Sequence, residues 1–309
     1  MAITAGMVKE LREMTGAGMM DCKKALTETN GDMDEAVEYL RKNGQAKAEK
    51  KAGRIAAEGL VRVAHDGDST AAIVEVNSET DFVAKNADFQ AYVEAVAAQA
   101  VASDAADMDA FLAESWKEDS SKTVKEALVE KIAVIGENLN IRRFQKETAP
   151  NGCIVSYIHG GGRIGVMVKA DTAVVNDAVK EALTNVAMQV AALSPKYVSS
   201  ADVSEDYKNH EKEILLAQAK LENPDKPENI IEKMIMGRLN KQLKEVCLLE
   251  QVYVKAEDGK QNVAAYLKQV SKEVGADVTV TGFVRFETGE GIEKKEENFA
   301  EEVAKQMGQ

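Results

Sequence analysis

The chain has 309 residues, 45% of them hydrophobic, enough apolar surface for about two or three domains with proper cores. Its 39 Lys and Arg stand against 52 Asp and Glu, a formal net charge of −13. That balance excludes non-specific nucleic-acid binding, which needs a basic footprint, and favours a protein partner.

The first 44 residues read as three short helices. Met7, Val8, Leu11 and Met14 share a face of the first. Met19, Cys22, Ala25 and Leu26 share a face of the second, after Gly16-Ala17-Gly18. Asn30-Gly31 breaks the chain. Asp32 with Glu35 has the spacing of a capping box for a third helix, which carries Met33, Val37 and Leu40 and is expected to stop at Asn43-Gly44. A bundle this small has a marginal core and usually docks something. Residues 45–54, rich in Lys and Ala without apolar periodicity, read as a linker.

Strand-like alternation follows. Leu60–Ala64 and Ala71–Val76 flank His65-Asp66-Gly67-Asp68, a hairpin signal. Phe89, Tyr92, Val93, Val96 and Ala100 then recur at helical spacing. After a looser stretch, Thr123 and Glu126 make a second capping-box pattern, and Val124, Leu128, Ile132, Ile135 and Leu139 continue that helix. The pattern repeats: Ile154–Ile158 and Ile164–Ala170 flank His159-Gly160-Gly161-Gly162, followed by Val175, Val179, Leu183, Val186 and Val190. Ala95-Val-Ala-Ala-Gln-Ala and Asn185-Val-Ala-Met-Gln-Val match at equivalent points, so a duplicated hairpin-plus-helix unit is expected.

Residues 203–247 read as an inserted antiparallel helical hairpin, a short coiled coil. Tyr207, Ile214 and Leu221 lie seven apart in its first helix. Ile231, Ile235, Leu239 and Leu243 line its second, and Pro224 and Pro227 mark the turn. These faces can pair within one chain or between two copies, the latter giving a homodimer. Val278–Phe286 returns to strand, and a last acidic helix carries Phe299 and Val303. The fold class is α+β.

Chemistry is sparse. Gly160-Gly161-Gly162-Arg163-Ile164-Gly165 fits G-x-G-x-x-G, but a dinucleotide fingerprint opens a helix and here a strand-like run follows, so it reads as a hairpin turn. No P-loop run exists, and direct nucleotide binding is not expected. His65, His159 and His210 lack a second ligand type at metal spacing, and no nucleophile–base arrangement stands out. Cys22, Cys153 and Cys247 are widely separated and read as reduced thiols. No run approaches the ~18 apolar residues of a spanning helix, and the N-terminus has no signal- or transit-peptide character. No enzyme activity, cofactor, metal or membrane contact is expected, and the location is expected to be cytoplasmic.

Two stretches carry a resemblance. One is Leu11-Arg-Glu-Met-Thr-Gly-Ala-Gly-Met-Met-Asp-Cys-Lys-Lys-Ala-Leu26, followed by Asn30-Gly-Asp. The other is Glu75-Val-Asn-Ser-Glu-Thr-Asp-Phe-Val-Ala-Lys85. Together with His159–Val168 and Val280–Glu287, in the family's order over essentially the whole chain, they resemble the elongation factor Ts family. Ser78 stands where some relatives carry Cys, but the Thr-Asp-Phe-Val run beside it is intact.

The resemblance implies a ubiquitin-associated-like bundle over 1–44, a linker over 45–54 and a core subdomain over 55–148. A second core subdomain comprises 149–202 and 248–288, with the hairpin of 203–247 inserted. A C-terminal module occupies 289–309. It also implies a guanine-nucleotide exchange factor for the GTPase elongation factor Tu, in which Thr80, Asp81, Phe82 and Val83 project into the partner and dislodge its Mg²⁺. Leu11, Arg12, Met19, Met20 and His159 are implied as further contacts. From the residues alone the run reads differently: Thr80 caps a helix, Asp81 favours its positive end and Phe82 plugs the core. Two other functions stay open on the sequence. One is a polypeptide-binding adaptor using the Met-rich helical faces, and the other is a nucleotide-dependent enzyme using the glycine run.

Overall fold

The computed structural model describes residues 2–223 and 226–293, and it shows an α+β protein. Thr4 caps α1 (Ala5–Thr15) by accepting from the Met7 amide, and Gly16 ends it in the left-handed region. With α2 (Met19–Glu28) and α3 (Met33–Lys51) it encloses Leu11, Cys22, Ala25, Leu26 and Ala36. The Asp32 carboxylate accepts from the Glu35 amide, 2.9 Å, to start α3.

The expected stop at Asn43-Gly44 is not there: α3 runs on to Lys51, through most of the stretch read as a linker. A glycine inside a helix costs about 1 kcal/mol relative to alanine, but Gly44 is buried against a helix spanning Val124–Ile135. A methyl group placed there would lie 3.5 Å from the Ala133 side chain. Close helix packing, rather than a stop signal, explains this glycine. One turn later Ala48 enters the neighbouring core.

The first half continues with β1 (Glu58–Asp66), β2 (Thr70–Ser78), the single turn α4 (Asp81–Ala84), α5 (Ala87–Ala102) and α6 (Met108–Ala113). A small hairpin of β3 (Ser115–Trp116) and β4 (Asp119–Thr123), then α7 (Val124–Ile135) and β5 (Asn140–Thr148), complete it. β2 lies between β1 and β5, antiparallel to both. The capping box at Thr123 and Glu126 forms as expected, but Gly136, at φ 87°, ends α7 before Leu139. Leu139 is buried ahead of β5 instead.

The second half holds β6 (Gly152–His159), β7 (Ile164–Thr172), α8 (Asp177–Leu193), α9 (Glu205–Glu222), α10 (Glu228–Val246), α11 (Val263–Val274) and β8 (Val278–Glu287), with β7 between β6 and β8. Val175, expected on the helical face, precedes α8 and is exposed. α9 and α10 pack through Leu215, Ala219, Ile231, Ile235 and Leu239. The seven-residue seam of the first helix is corrected: Leu221 is 84% exposed and Ile214 also faces outward. A straight helix of 3.6 residues per turn carries the buried stripe on Leu215 and Ala219 instead. Pro227 precedes α10 as its N-cap. Pro224, and the acidic segment with Phe299 and Val303, lie outside the described residues.

The two sheets face each other. On β2, Ala72, Val74 and Val76 point to α5 and pack with Phe89, Val93 and Val96. The alternate residues Ala71 and Ile73 meet Val61, Ile154, Met167, Val284 and Phe286 between the sheets. On β7, Val166, Val168 and Ala170 point to α8. Both central strands therefore bury residues on two faces, and Ala71–Val74 and Val166–Val168 are consecutive apolar runs rather than alternating ones. Glu75 shares the inter-sheet face with Ala71 and Ile73 and is fully buried. A buried carboxylate needs partners. Arg142 lies at 3.0 Å, Arg143 at 2.6 Å and the Gly289 amide donates at 2.8 Å, joining β2, β5 and the turn after β8.

The two glutamines of the matching segments play parallel parts. The Gln189 carbonyl oxygen accepts from the Val254 amide at 2.8 Å, and its amide donates to the Val252 carbonyl at 3.0 Å. The Gln99 carbonyl oxygen accepts from the Lys117 amide at 2.9 Å, and its amide donates to the Ser115 carbonyl at 3.3 Å. Gln189 pins the irregular segment before α11 to α8, and Gln99 pins the β3–β4 hairpin to α5.

Candidate partner-binding turn

β2 ends at Ser78, and the next residues close one helical turn before Asn86 caps α5 by accepting from the Asp88 and Phe89 amides. Thr80 caps the turn: its hydroxyl oxygen accepts from the Val83 amide, 3.4 Å. Val83 is half-buried and packs against the first core together with Ala84. Asp81 and Phe82 are left outside.

Phe82 is 80% exposed, so it does not plug the core. A large aromatic side chain held in solvent at a fixed place is an informative departure from ordinary burial. Beside it, Asp81 and Lys85 form an i,i+4 ion pair at 2.6 Å. The Lys85 hydrogen bond holds the Asp81 carboxyl below its ordinary range, so it is charged at neutral pH. The Lys85 ammonium lies 6.0 Å from the Phe82 ring centre. The turn thus offers an apolar wedge next to a carboxylate.

The backbone that carries the wedge is anchored from a distant stretch. The Glu137 carboxylate accepts from the Glu79 amide at 3.0 Å, the Thr80 amide at 3.1 Å and the Thr80 hydroxyl at 2.6 Å. In return, the Glu79 carboxylate accepts from the Asn138 amide at 2.6 Å. The Asn138 side chain donates to the Arg54 carbonyl at 2.8 Å. The β2–β5 register, pairing Asn77 with Asn140, brings these stretches together. Sequence reasoning missed Glu137, Asn138 and Arg54, because no local spacing links residues so far apart in the chain; a correct placement of β5 beside β2 is the signal that finds them.

The other expected contacts divide. Arg12, Met19 and Met20 are exposed, and Met20 is 74% so; Met14 is exposed too, so three apolar side chains and one cationic one face solvent on either side of the α1–α2 connection. Leu11 is a correction: it is fully buried among the three helices and presents no surface. His159 is exposed at the end of β6, with Nδ1 2.9 Å from the Tyr157 hydroxyl. The glycine run after it is a turn between β6 and β7, not a helix entry. Gly160, Gly161 and Gly162 all have positive φ, and a side chain on Gly162 would collide with Leu60 and Arg62. The Gly162 carbonyl accepts from the Val61 amide at 2.7 Å, so this turn lies against β1, as α4 does.

Among the described residues no three His, Cys, Asp or Glu side chains gather at metal-binding spacing, and no helix is long and apolar enough to cross a membrane. An α+β scaffold with a clamped, exposed Asp-Phe turn and a separate Met-rich face has the character of a recognition protein. The family model described as "Elongation factor TS" matches residues 79–290. Curated proteins named elongation factor Ts are similar along nearly the full length. The one from Clostridioides difficile strain 630 is 55% identical over 306 residues, covering 99% of each chain. Those from Clostridium perfringens strain 13 and Clostridium novyi strain NT are 54% and 53% identical, again over 99% of each chain. The chain belongs to the elongation factor Ts family, the factors of translation elongation in protein biosynthesis.

Proposed function

We propose that this chain binds elongation factor Tu in its GDP state and drives GDP out by inserting the Asp81–Phe82 turn near the nucleotide. Family membership implies a nucleotide-exchange factor for that GTPase. The observation that carries the mechanism is Phe82, a ring 80% exposed on a turn whose entry is held by two backbone amides and the Thr80 hydroxyl, all bonded to Glu137.

A GTPase holds GDP through the amides of its phosphate loop and through Mg²⁺. Insertion of an aromatic wedge stabilises a partner conformation in which that loop is displaced, and the Asp81 carboxylate, placed near the phosphates, opposes the metal's position. The linkage is reciprocal: whatever the factor takes from GDP affinity, GDP takes from the factor's affinity. No bond is made or broken, so the chain acts as a binding protein and not as an enzyme, and it uses no cofactor or nucleotide of its own. The setting is the cytoplasm, where its partner works.

The finer architecture belongs to the same reading. α1–α3 form a ubiquitin-associated-like docking module whose Met14, Met19 and Met20 surface and Arg12 add affinity. The β1-β2-β5 and β6-β7-β8 halves are copies of one unit, a reading supported by their common strand order and by Gln99 and Gln189. α9 and α10 form an insertion in the second copy, and residues 289–309 supply a last contact. The test is release of fluorescent GDP from elongation factor Tu on mixing with this chain. A chain that binds several unrelated proteins without speeding release would be an adaptor instead.

A further inference from the structure

We propose that Glu137 is a positioning residue for exchange: its carboxylate sets the conformation of the Asp81–Phe82 turn before the partner arrives. The inference rests on the exchange reading above and adds to it a residue outside the Thr80–Val83 run.

An isolated helical turn of four residues has no stability of its own, because nucleation fixes several dihedrals for one hydrogen bond. α4 is such a turn, and its apolar ring is largely free of the body of the protein. Val83 and Ala84 rest one side of the turn on the core, and its entry from β2 needs a hold of its own. The donors at the end of β2 are the Glu79 amide, the Thr80 amide and the Thr80 hydroxyl, and all three point to one carboxylate, that of Glu137. Hydrogen bonds to a charged acceptor are shorter and stronger than neutral ones.

The hydroxyl bond has a second effect. With its hydrogen committed to Glu137 Oε1 at 2.6 Å, the Thr80 oxygen turns a lone pair to the Val83 amide and caps α4. Ser78 adds a bond from its hydroxyl to the Thr80 carbonyl, 3.0 Å. Glu137 therefore fixes both the entry of the chain into the turn and the polarity of its cap. It follows directly on Gly136, which ends α7, the helix that packs against α3. The clasp of Glu79, Asn138 and Arg54 then fastens the ends of α3 and α7 to the same point. The wedge and the N-terminal docking face are held in one frame.

A pre-set wedge removes an ordering cost that would otherwise fall on the open complex. First docking uses other surfaces, so losing the pre-set turn should lower the maximal rate of stimulated GDP release more than it raises the half-saturating concentration. The test measures release over a full range of factor concentration for wild type, Glu137→Ala, Glu137→Asp and Glu137→Gln, with melting temperature and amide exchange on the same preparations. Glu137→Ala removes all three bonds and should cut the plateau about tenfold. Glu137→Asp is one methylene too short to reach and should fall similarly. Glu137→Gln keeps an acceptor for the two amides and can donate to the Thr80 oxygen, so it should rescue the plateau to within about threefold. Exchange protection should disappear at Glu79 and Thr80 in the alanine variant while β2 and α5 keep theirs.

A partly unfolded variant lowers the active concentration and shifts half-saturation without moving the plateau, which distinguishes a merely structural role. If Glu137→Ala does not fold, the aspartate variant decides. A wild-type plateau for Glu137→Ala or Glu137→Asp, or a glutamine variant as impaired as alanine, overturns the proposal. Failure of the wild-type protein to speed release overturns the exchange reading itself.

Discussion

Truncating Phe82 to alanine separates a wedge from a core residue. In the free protein the ring is 80% exposed, so its removal opens no cavity, and a surface change of this kind shifts stability by less than about 0.5 kcal/mol. On binding, a phenylalanine side chain of roughly 150–200 Å², four-fifths of it free to be covered, is worth about 3–4 kcal/mol at ~25 cal/mol per Å². Part of that is offset by the β-carbon that remains and by imperfect burial, leaving about 2–3 kcal/mol, in the range of an interface hot spot. At 1.4 kcal/mol per decade this is a fall of roughly 25- to 150-fold, with tenfold as a floor. The assay is stopped-flow release of fluorescent GDP from elongation factor Tu, with thermal melting of the same preparation. The account expects an unchanged melting temperature and release slowed at least tenfold. A variant that is stable and fully active would refute the wedge. A melting temperature lowered by many degrees would mean that the ring supports the fold.

Asp81→Ala removes the carboxylate and the Lys85 pair, which is exposed and adds little to stability; release should slow, but by less than for Phe82→Ala, and stopped-flow traces of the two variants side by side decide. Replacing both Met19 and Met20, exposed on the first turn of α2, by alanine should raise the half-saturating concentration about five- to thirtyfold, because ~1–2 kcal/mol of apolar burial against the partner is removed, and leave the plateau rate alone. Glu75 makes a pH prediction. Burial pushes its carboxyl upward, but the Gly289 amide, Asn77, Arg142 and Arg143 outweigh it and hold the group below its ordinary value of 4.5. A folded pKa below the unfolded one gives a contribution that is complete above about pH 4.5 and lost as pH falls through the folded pKa. Glu75→Gln should therefore be less stable than wild type at pH 7, by less than the ~3–5 kcal/mol of breaking a fully buried pair because both arginines are partly exposed. The gap to wild type in urea denaturation should narrow below about pH 4, and a gap that stays constant with pH would contradict the assignment.

The elements with strong apolar periodicity were legible in the sequence. The hairpin strands and α5, α7 and α8 fall where Leu60, Val74, Phe89, Ile132 and Leu183 place them, because packing against a sheet demands that spacing. β5 was not legible. It is an edge strand in which Ile141 alone is fully buried, Phe144 stacks half-buried on Phe111, and polar side chains fill the other positions. α6 and the β3–β4 hairpin fall in the stretch that reads as loose, and α11 is not among the expected elements although Val263, Leu267 and Val270 recur in it at clear helical spacing. Gly44 misled because a glycine that permits close helix packing and one that stops a helix look alike in one dimension.

The candidate turn shows the same division. Thr80 to Val83 were visible as a run, and Thr80 as a cap, from local chemistry. That Phe82 points outward is a property of how α4 leaves β2, and local spacing gave the opposite expectation. The resemblance to a known family, rather than the pattern of the residues, supplied the right direction. Glu137 belongs to a different order of information, since it reaches Thr80 only after β5 has paired with β2. Leu11 erred in the other direction: it lies inside a signature run, yet serves the bundle's own core.

The central claim is that this chain speeds nucleotide release by occupying a GTPase, without chemistry of its own. Its most direct test is the release rate of fluorescent GDP from elongation factor Tu, followed against increasing concentrations of the wild-type chain in the presence of Mg²⁺. A rate that climbs to a plateau far above spontaneous release is expected, and it should persist in excess unlabelled GDP, which only refills the site that the label has left. A release rate that stays at the spontaneous value across the whole concentration range would contradict it.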